Sequence, residues 1–154
     1  MPRNVYLTTQ PLPLESARKI VAGALAHADS HDMNPITVTV LDHGGQLITC
    51  DRADGCAMLR LAVSRGKAKA ALGYGLSSRT IGERNSERPA FLAAVAAAAD
   101  GEFVAVAGGV LILDTDERVI GAVGISGDSS DNDERAAIAG IEHAGLRAGL
   151  APET

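Results

Sequence analysis

A chain of 154 residues can bury the apolar surface of one domain and is too short for two ordinary ones. Its composition, 46% hydrophobic with two Tyr, two Phe and no Trp, excludes a disordered chain and describes a core of small aliphatic side chains, poorly suited to base stacking. A net charge of −5 without a clustered basic run argues against nucleic acid or an anionic membrane as the main partner.

Residues 1–13 contain no apolar h-region and no small-residue cleavage site, and no stretch of the chain reads as a membrane span. They are expected to form an extended arm on a cytoplasmic protein, with contact between subunits as its use, ahead of a single domain over 14–150. From Leu14, the residues Ala17, Ile20, Val21, Ala24, Leu25 and Ala28 follow an amphipathic helical template, with Pro13 at its start and Pro35 ending it. The β-rich runs 36–41 and 46–52 are joined by Asp42-His43-Gly44-Gly45, a turn sequence suited to a hairpin. A second helix is expected over 58–72. Its row Ala62, Gly66, Ala70 allows close packing against a sheet or helix. A short helix over 80–85 follows, then an alanine-rich helix over 90–99 opened by Pro89.

Two strands, 102–107 and 109–113, are expected on either side of Gly108-Gly109, and 114–118 then turns the chain into residues 119–126. That last run is apolar or tiny on both faces, as a central strand covered on both sides requires. It feeds a polar loop and a helix expected over 131–148, with Ser126 to Asp131 supplying the turn and cap chemistry. Five strands with helices on both faces make an α+β sandwich.

In order and spacing, the runs DHGGQLITCDRADG, SRGKAKAALG, ERPAF, GGVLI, GAVGISG and DNDERAAIAG resemble the haem-binding GlcG/HbpS-like family. That family is also described as haem-degrading and is related to the C-terminal domain of PduO-type proteins. The resemblance covers nearly the whole chain. It implies a profilin- or Roadblock-like α/β/α sandwich around a five-stranded antiparallel sheet, assembly into dimers and often octamers, and binding of haem or a corrinoid in accessory, sensing or catabolic roles. Two positions depart from the family pattern: Leu111 stands where proline is common, and Ser77 stands near another frequent proline. Both are expected on loop rims.

Imidazole is a common axial ligand of haem iron. His27 and His31 are spaced i, i+4 as two metal ligands on one helical face would be, although ordinary helix-end residues fit the same spacing. His43 and His143 are expected to be solvated. Cys50 and Cys56 lack zinc spacing and are expected to pack as thiols rather than ligate or pair. The acidic pairs Asp114/Glu117 and Asp131/Glu134 read as a turn and a helix start rather than an iron site. Arg52 and Lys67 can hold a ligand carboxylate, haem propionate included. An ion pair of Arg52 with Asp54 or Glu134 would account for the arginine equally.

Because Gly121, Gly124 and Gly127 strip side chains from the end of the expected central strand, and Gly108-Gly109 do so in a neighbouring connection, a ligand cleft is expected there. It would be bounded by Arg52, Lys67, Gly108, Gly109, Ser126 and Gly127 and completed by a neighbouring subunit. Three uses remain open for such a chain. It could bind a small molecule, with haem or a related tetrapyrrole implied by the resemblance. It could be a cofactor-free enzyme on a small carboxylic or oxo acid, or a structural or regulatory oligomer subunit.

Overall fold

The computed structural model describes residues 3–153; the first two residues of the expected arm lie outside them. The elements run α1 (Leu14–Ser30), β1 (Thr37–Asp42), β2 (Leu47–Arg52), α2 (Leu59–Tyr74), α3 (Ser78–Arg84), α4 (Pro89–Ala98), β3 (Gly109–Leu113), β4 (Val119–Ser126), α5 (Ser130–His143) and β5 (Arg147–Gly149). The strands form one antiparallel sheet in the order β2-β1-β4-β3-β5. β4 is its middle strand and is buried from Ile120 to Ser126.

The two faces of the sheet differ in chemistry. On one, Val38, Val40, Val110, Val123 and Ile125 meet Ile20, Ala24, Ala137 and Ile141 of α1 and α5 in the main core. Leu12 joins this core with no exposed surface, whereas Val5 and Leu7 stand in solvent. On the other face α2 lies on Leu41, Leu111 and Ala122 through Ala68 and Ala71. The fold is thus the three-layer α+β sandwich that the sequence implies.

Two elements fall elsewhere than expected. Residues 102–107 are not a strand, because both edges of β3 are occupied, one by β4 and the other by β5. They run instead along α2 and α3, where the Val104 amide donates to the Gly66 carbonyl at 3.1 Å and the Ser78 hydroxyl donates to the Val106 carbonyl at 2.6 Å. The expected last helix stops at His143 rather than 148. Gly145 adopts φ +73, and the Leu146 amide reaches back to the Ile141 carbonyl at 3.1 Å, the 6→1 bond of a Schellman stop. The released residues Arg147–Gly149 become the fifth strand.

Leu111 and Ser77 are not on loop rims. Leu111 is buried within β3, and buried Ser77 caps α3 by accepting from the Thr80 amide. The row Ala62, Gly66, Ala70 is also divided: Ala62 is exposed, and a Cβ on Gly66 would meet Val104 at 2.7 Å rather than the sheet. The face of α2 that lies on the sheet is Ser64, Lys67, Ala68 and Ala71, the i, i+3, i+4, i+7 row.

Candidate functional site

Where β4 runs into α5, its last residues are built into a polar junction. Ser129 caps α5 by accepting from the Asn132 amide, and the Asp133 carboxylate, one turn on, folds back to accept from the Asp128 amide at 2.9 Å. The other oxygen of Asp133 takes Lys67 Nζ at 3.2 Å, and the same ammonium donates to the Ile125 carbonyl at 2.9 Å. Lysine and aspartate are both almost fully buried. Burial pushes Lys67 down and Asp133 up, each against the opposite pull of its partner.

Of the six expected cleft residues, five converge here. A Cβ on Gly108 would lie 2.8 Å from Lys67 Nζ, one on Gly109 2.2 Å from the Lys67 carbonyl oxygen, and one on Gly127 2.3 Å from the Pro35 carbonyl oxygen. A Cβ on Gly124 would fall 1.8 Å from the Ser64 carbonyl oxygen. Within one chain these glycines admit the backbone of α2 and of the 35–36 segment. Ser126 accepts from Arg60 at 3.2 Å.

Arg52 is set apart. Thr37 pairs with Ser126 on one side and with Arg52 on the other, so the three share one face of the sheet while Arg52 stands on the exposed edge strand. Two strand spacings, about 10 Å, separate it from Ser126 along the backbone. Glu134, offered as its ion-pair partner, is held instead by Arg79 at 3.1 Å, together with Asp131. Arg79 keeps the Asp131 carboxyl below the usual carboxylate range. The sequence reading missed Asp133, Arg60 and Arg79. The available signal was that Lys67 occupies the i+3 position of the buried row of α2.

His27 and His31 stack with ring centroids 3.9 Å apart. His31 Nδ1 lies 2.9 Å from the His27 carbonyl and 3.0 Å from the Ser30 hydroxyl. Burial, then His31 and Arg135, lower the His27 pKa from 6.5. No group of three or more His, Cys, Asp or Glu that could hold a metal occurs among the described residues. Cys50 and Cys56 are free, half-buried thiols against Thr39 and Thr37, at 3.4 and 3.3 Å. Asp114 is a turn residue, accepting from the amides of Asp116 and Arg118.

Cavities open at several places on the surface. One of about 450 Å³ lies beside β5, and a smaller one of about 260 Å³ lies under the end of α1. Another, about 760 Å³, runs between the β1–β2 turn and the C-terminal halves of α2 and α4, at the opposite end of β1 from Ser126. Its walls are Leu72, Tyr74, Val95 and Phe103, with His43, Lys69 and Glu102 at the margin. Tyr74 and Phe103 meet edge to face at 5.9 Å.

Residues 12–142 match the family model described as haem degrading protein HbpS-like. Protein GlcG of Escherichia coli (strain K12) is 31% identical over 116 residues, which span 75% of this chain and 81% of GlcG. Among solved structures, Klebsiella pneumoniae protein ORFY superposes with a TM-score of 0.79 at 22% identity, covering 94% of this chain and 98% of that one. A PduOC:heme complex superposes with a TM-score of 0.78 at 20% identity, covering 95% and 100%.

Proposed function

Since the chain belongs to the HbpS-like family, we propose that it is a small-molecule binding protein for haem or a related tetrapyrrole, acting in an accessory or sensing role in the cytoplasm. The observation that carries this reading is the groove of about 760 Å³ with two aromatic walls and an imidazole at its margin, in a fold shared with a protein crystallised as a heme complex. Its volume lies within the range of small-molecule sites, and apolar walls with a few polar groups are the usual lining. When bound, a haem would supply the iron chemistry; this chain's part is to bind and orient it. The β4 end is a second place for a ligand. There Lys67, Gly108, Gly109, Ser126 and Gly127 are packed against protein, so the half-buried Arg60 and the exposed Arg52 are the cations within reach and a neighbouring subunit would have to complete the site. To share a metal ion, His27 and His31 would have to turn out of the stack in which their rings lie. Titration of the purified chain with hemin tests the reading: a saturable Soret shift at one equivalent per chain is expected, and no shift would end it.

Assembly into a homo-oligomer, from dimer to octamer, belongs to the same proposal. α4 has no buried residue, and its outer face is Ala90, Ala93, Ala94 and Ala97. Elsewhere, on α2's first turn, Leu59 is 67% exposed, preceded by Met58 at 82%. Apolar surface of this kind is characteristic of subunit contacts. Light scattering should show an oligomer that Ala94→Glu with Ala97→Glu dissociates. An unchanged mass would reject α4 as the contact. Because Leu12 belongs to the core, the arm is tested separately by removing residues 1–10.

A further inference from the structure

The geometry points to the groove between the β1–β2 turn and α2 as the tetrapyrrole site, with His43 as the iron ligand and Lys69 as the anchor of a propionate. This rests on the haem reading above and goes beyond it by assigning the place and the residues.

The β1–β2 turn holds His43 in a fixed frame. The Asp42 carboxylate accepts from the amides of Gly44 and Gln46, both at 2.9 Å, the Asp42 amide donates to the Gln46 carbonyl at 2.8 Å, and Gly45 takes φ +82. A turn tied at both ends fixes the backbone that carries His43, so that only the side-chain rotamer is left to order on ligation. His43 is exposed at the margin of the groove, and neither of its ring nitrogens makes a hydrogen bond among the described residues.

The groove already holds a carboxylate, that of Glu102. Lys69 and Arg65 converge on Glu102, Arg65 Nε at 3.1 Å, and this pair keeps the Glu102 carboxyl below its usual range. Glu102 is 39% exposed and can yield Lys69 to an incoming carboxylate. The groove that His43 and Lys69 share is walled by Leu72, Tyr74, Val95 and Phe103, with Gln46 also lining it. A flat apolar body with a carboxylate edge and a Lewis-acidic centre matches this order of chemistry. A second protein surface would leave the imidazole without a role.

Gly73 supplies a clean block. A Cβ there meets nothing within 4 Å, and Gly73 lies inside α2 at the groove wall, so a large side chain can project into the space without disturbing the core. The test compares hemin with iron-free protoporphyrin IX on the full chain, with far-UV circular dichroism confirming the fold of each variant. Gly73→Trp should weaken both probes about tenfold or more. His43→Ala should shift the hemin spectrum away from its imidazole-ligated form while changing protoporphyrin affinity by less than about twofold. Lys69→Ala should weaken both probes, and Arg52→Ala neither. The assignment is overturned if folded Gly73→Trp binds as the wild type does, if His43→Ala keeps the wild-type hemin spectrum, or if Arg52→Ala is the variant that loses binding. Failure of the wild type to bind hemin at all is a different result and removes the haem reading itself.

Discussion

Replacing Gly124 with alanine adds one methyl group at the tightest contact in the sheet. The new Cβ would stand 1.8 Å from the Ser64 carbonyl oxygen, 2.8 Å from its carbonyl carbon and 3.0 Å from the Ala68 amide nitrogen. All three are backbone atoms of α2, so no side chain can swing aside. Restoring an ordinary contact requires α2 to retreat by more than 1 Å, on the order of a quarter to a half of the van der Waals attraction at each facing pair. The pairs affected include Ala68 and Ala71 on Leu41, Leu111 and Ala122. The same retreat stretches the 2.9 and 3.2 Å bonds of Lys67 to the Ile125 carbonyl and Asp133. Overpacking by one methylene costs about 1–3 kcal/mol, and weakening a buried charged hydrogen bond adds about 1.5 kcal/mol or more, so a loss of roughly 3–4 kcal/mol is expected. At about 2–4 °C per kcal/mol for a chain of this size, Tm should fall by roughly 6–16 °C. Urea melts with unchanged slope give the free energy directly. Gly73→Ala is the control, since its Cβ meets nothing within 4 Å; it should stabilise by about 0.5–1 kcal/mol through helix propensity. A Gly124→Ala protein within 1 kcal/mol of wild type would refute the account of α2 seated through the glycines.

Two further perturbations probe the polar junction. Lys67→Met leaves the Asp133 carboxylate buried without its cation and should destabilise by about 3–5 kcal/mol, whereas adding Asp133→Asn should recover part of that loss; a double mutant as unstable as the sum of the single ones would show that the pair is not coupled. Asp128→Ala removes the acceptor of the Asn34 amide at 2.9 Å and of Asn132 Nδ2 at 2.7 Å, contacts that hold the Asp128 carboxyl below 3.8. A depressed folded pKa gives stability that is present above the unfolded value and lost as pH falls through the folded one. Wild type and Asp128→Ala should therefore differ by about 1–2 kcal/mol at pH 7 and converge below pH 3.8 in melts across pH; a gap that persists into strong acid would contradict the charged role.

The local pattern of the chain was enough for α1, the β1–β2 hairpin, the glycine-rich central strand and the capped start of α5, because periodicity, turn chemistry and capping act over a few residues. The motif order carried the family for the same reason. What only the tertiary structure decided is what occupies each edge and each gap. Residues 102–107 have strand-like side chains, yet β5 holds the edge they would need, and no local signal reports that competition. The glycines of β4 and Gly108-Gly109 mark close approach in the sequence, but whether a ligand or a helix backbone approaches depends on α2, some sixty residues earlier in the chain. Lys67 is a charged residue in a helix by sequence; it becomes a buried strut because Asp133 and the Ile125 carbonyl arrive from 66 and 58 residues away. The groove is likewise invisible in order along the chain. His43, Lys69 and Phe103 are neighbours only because the hairpin turn and the ends of α2 and α4 meet at one end of the sheet.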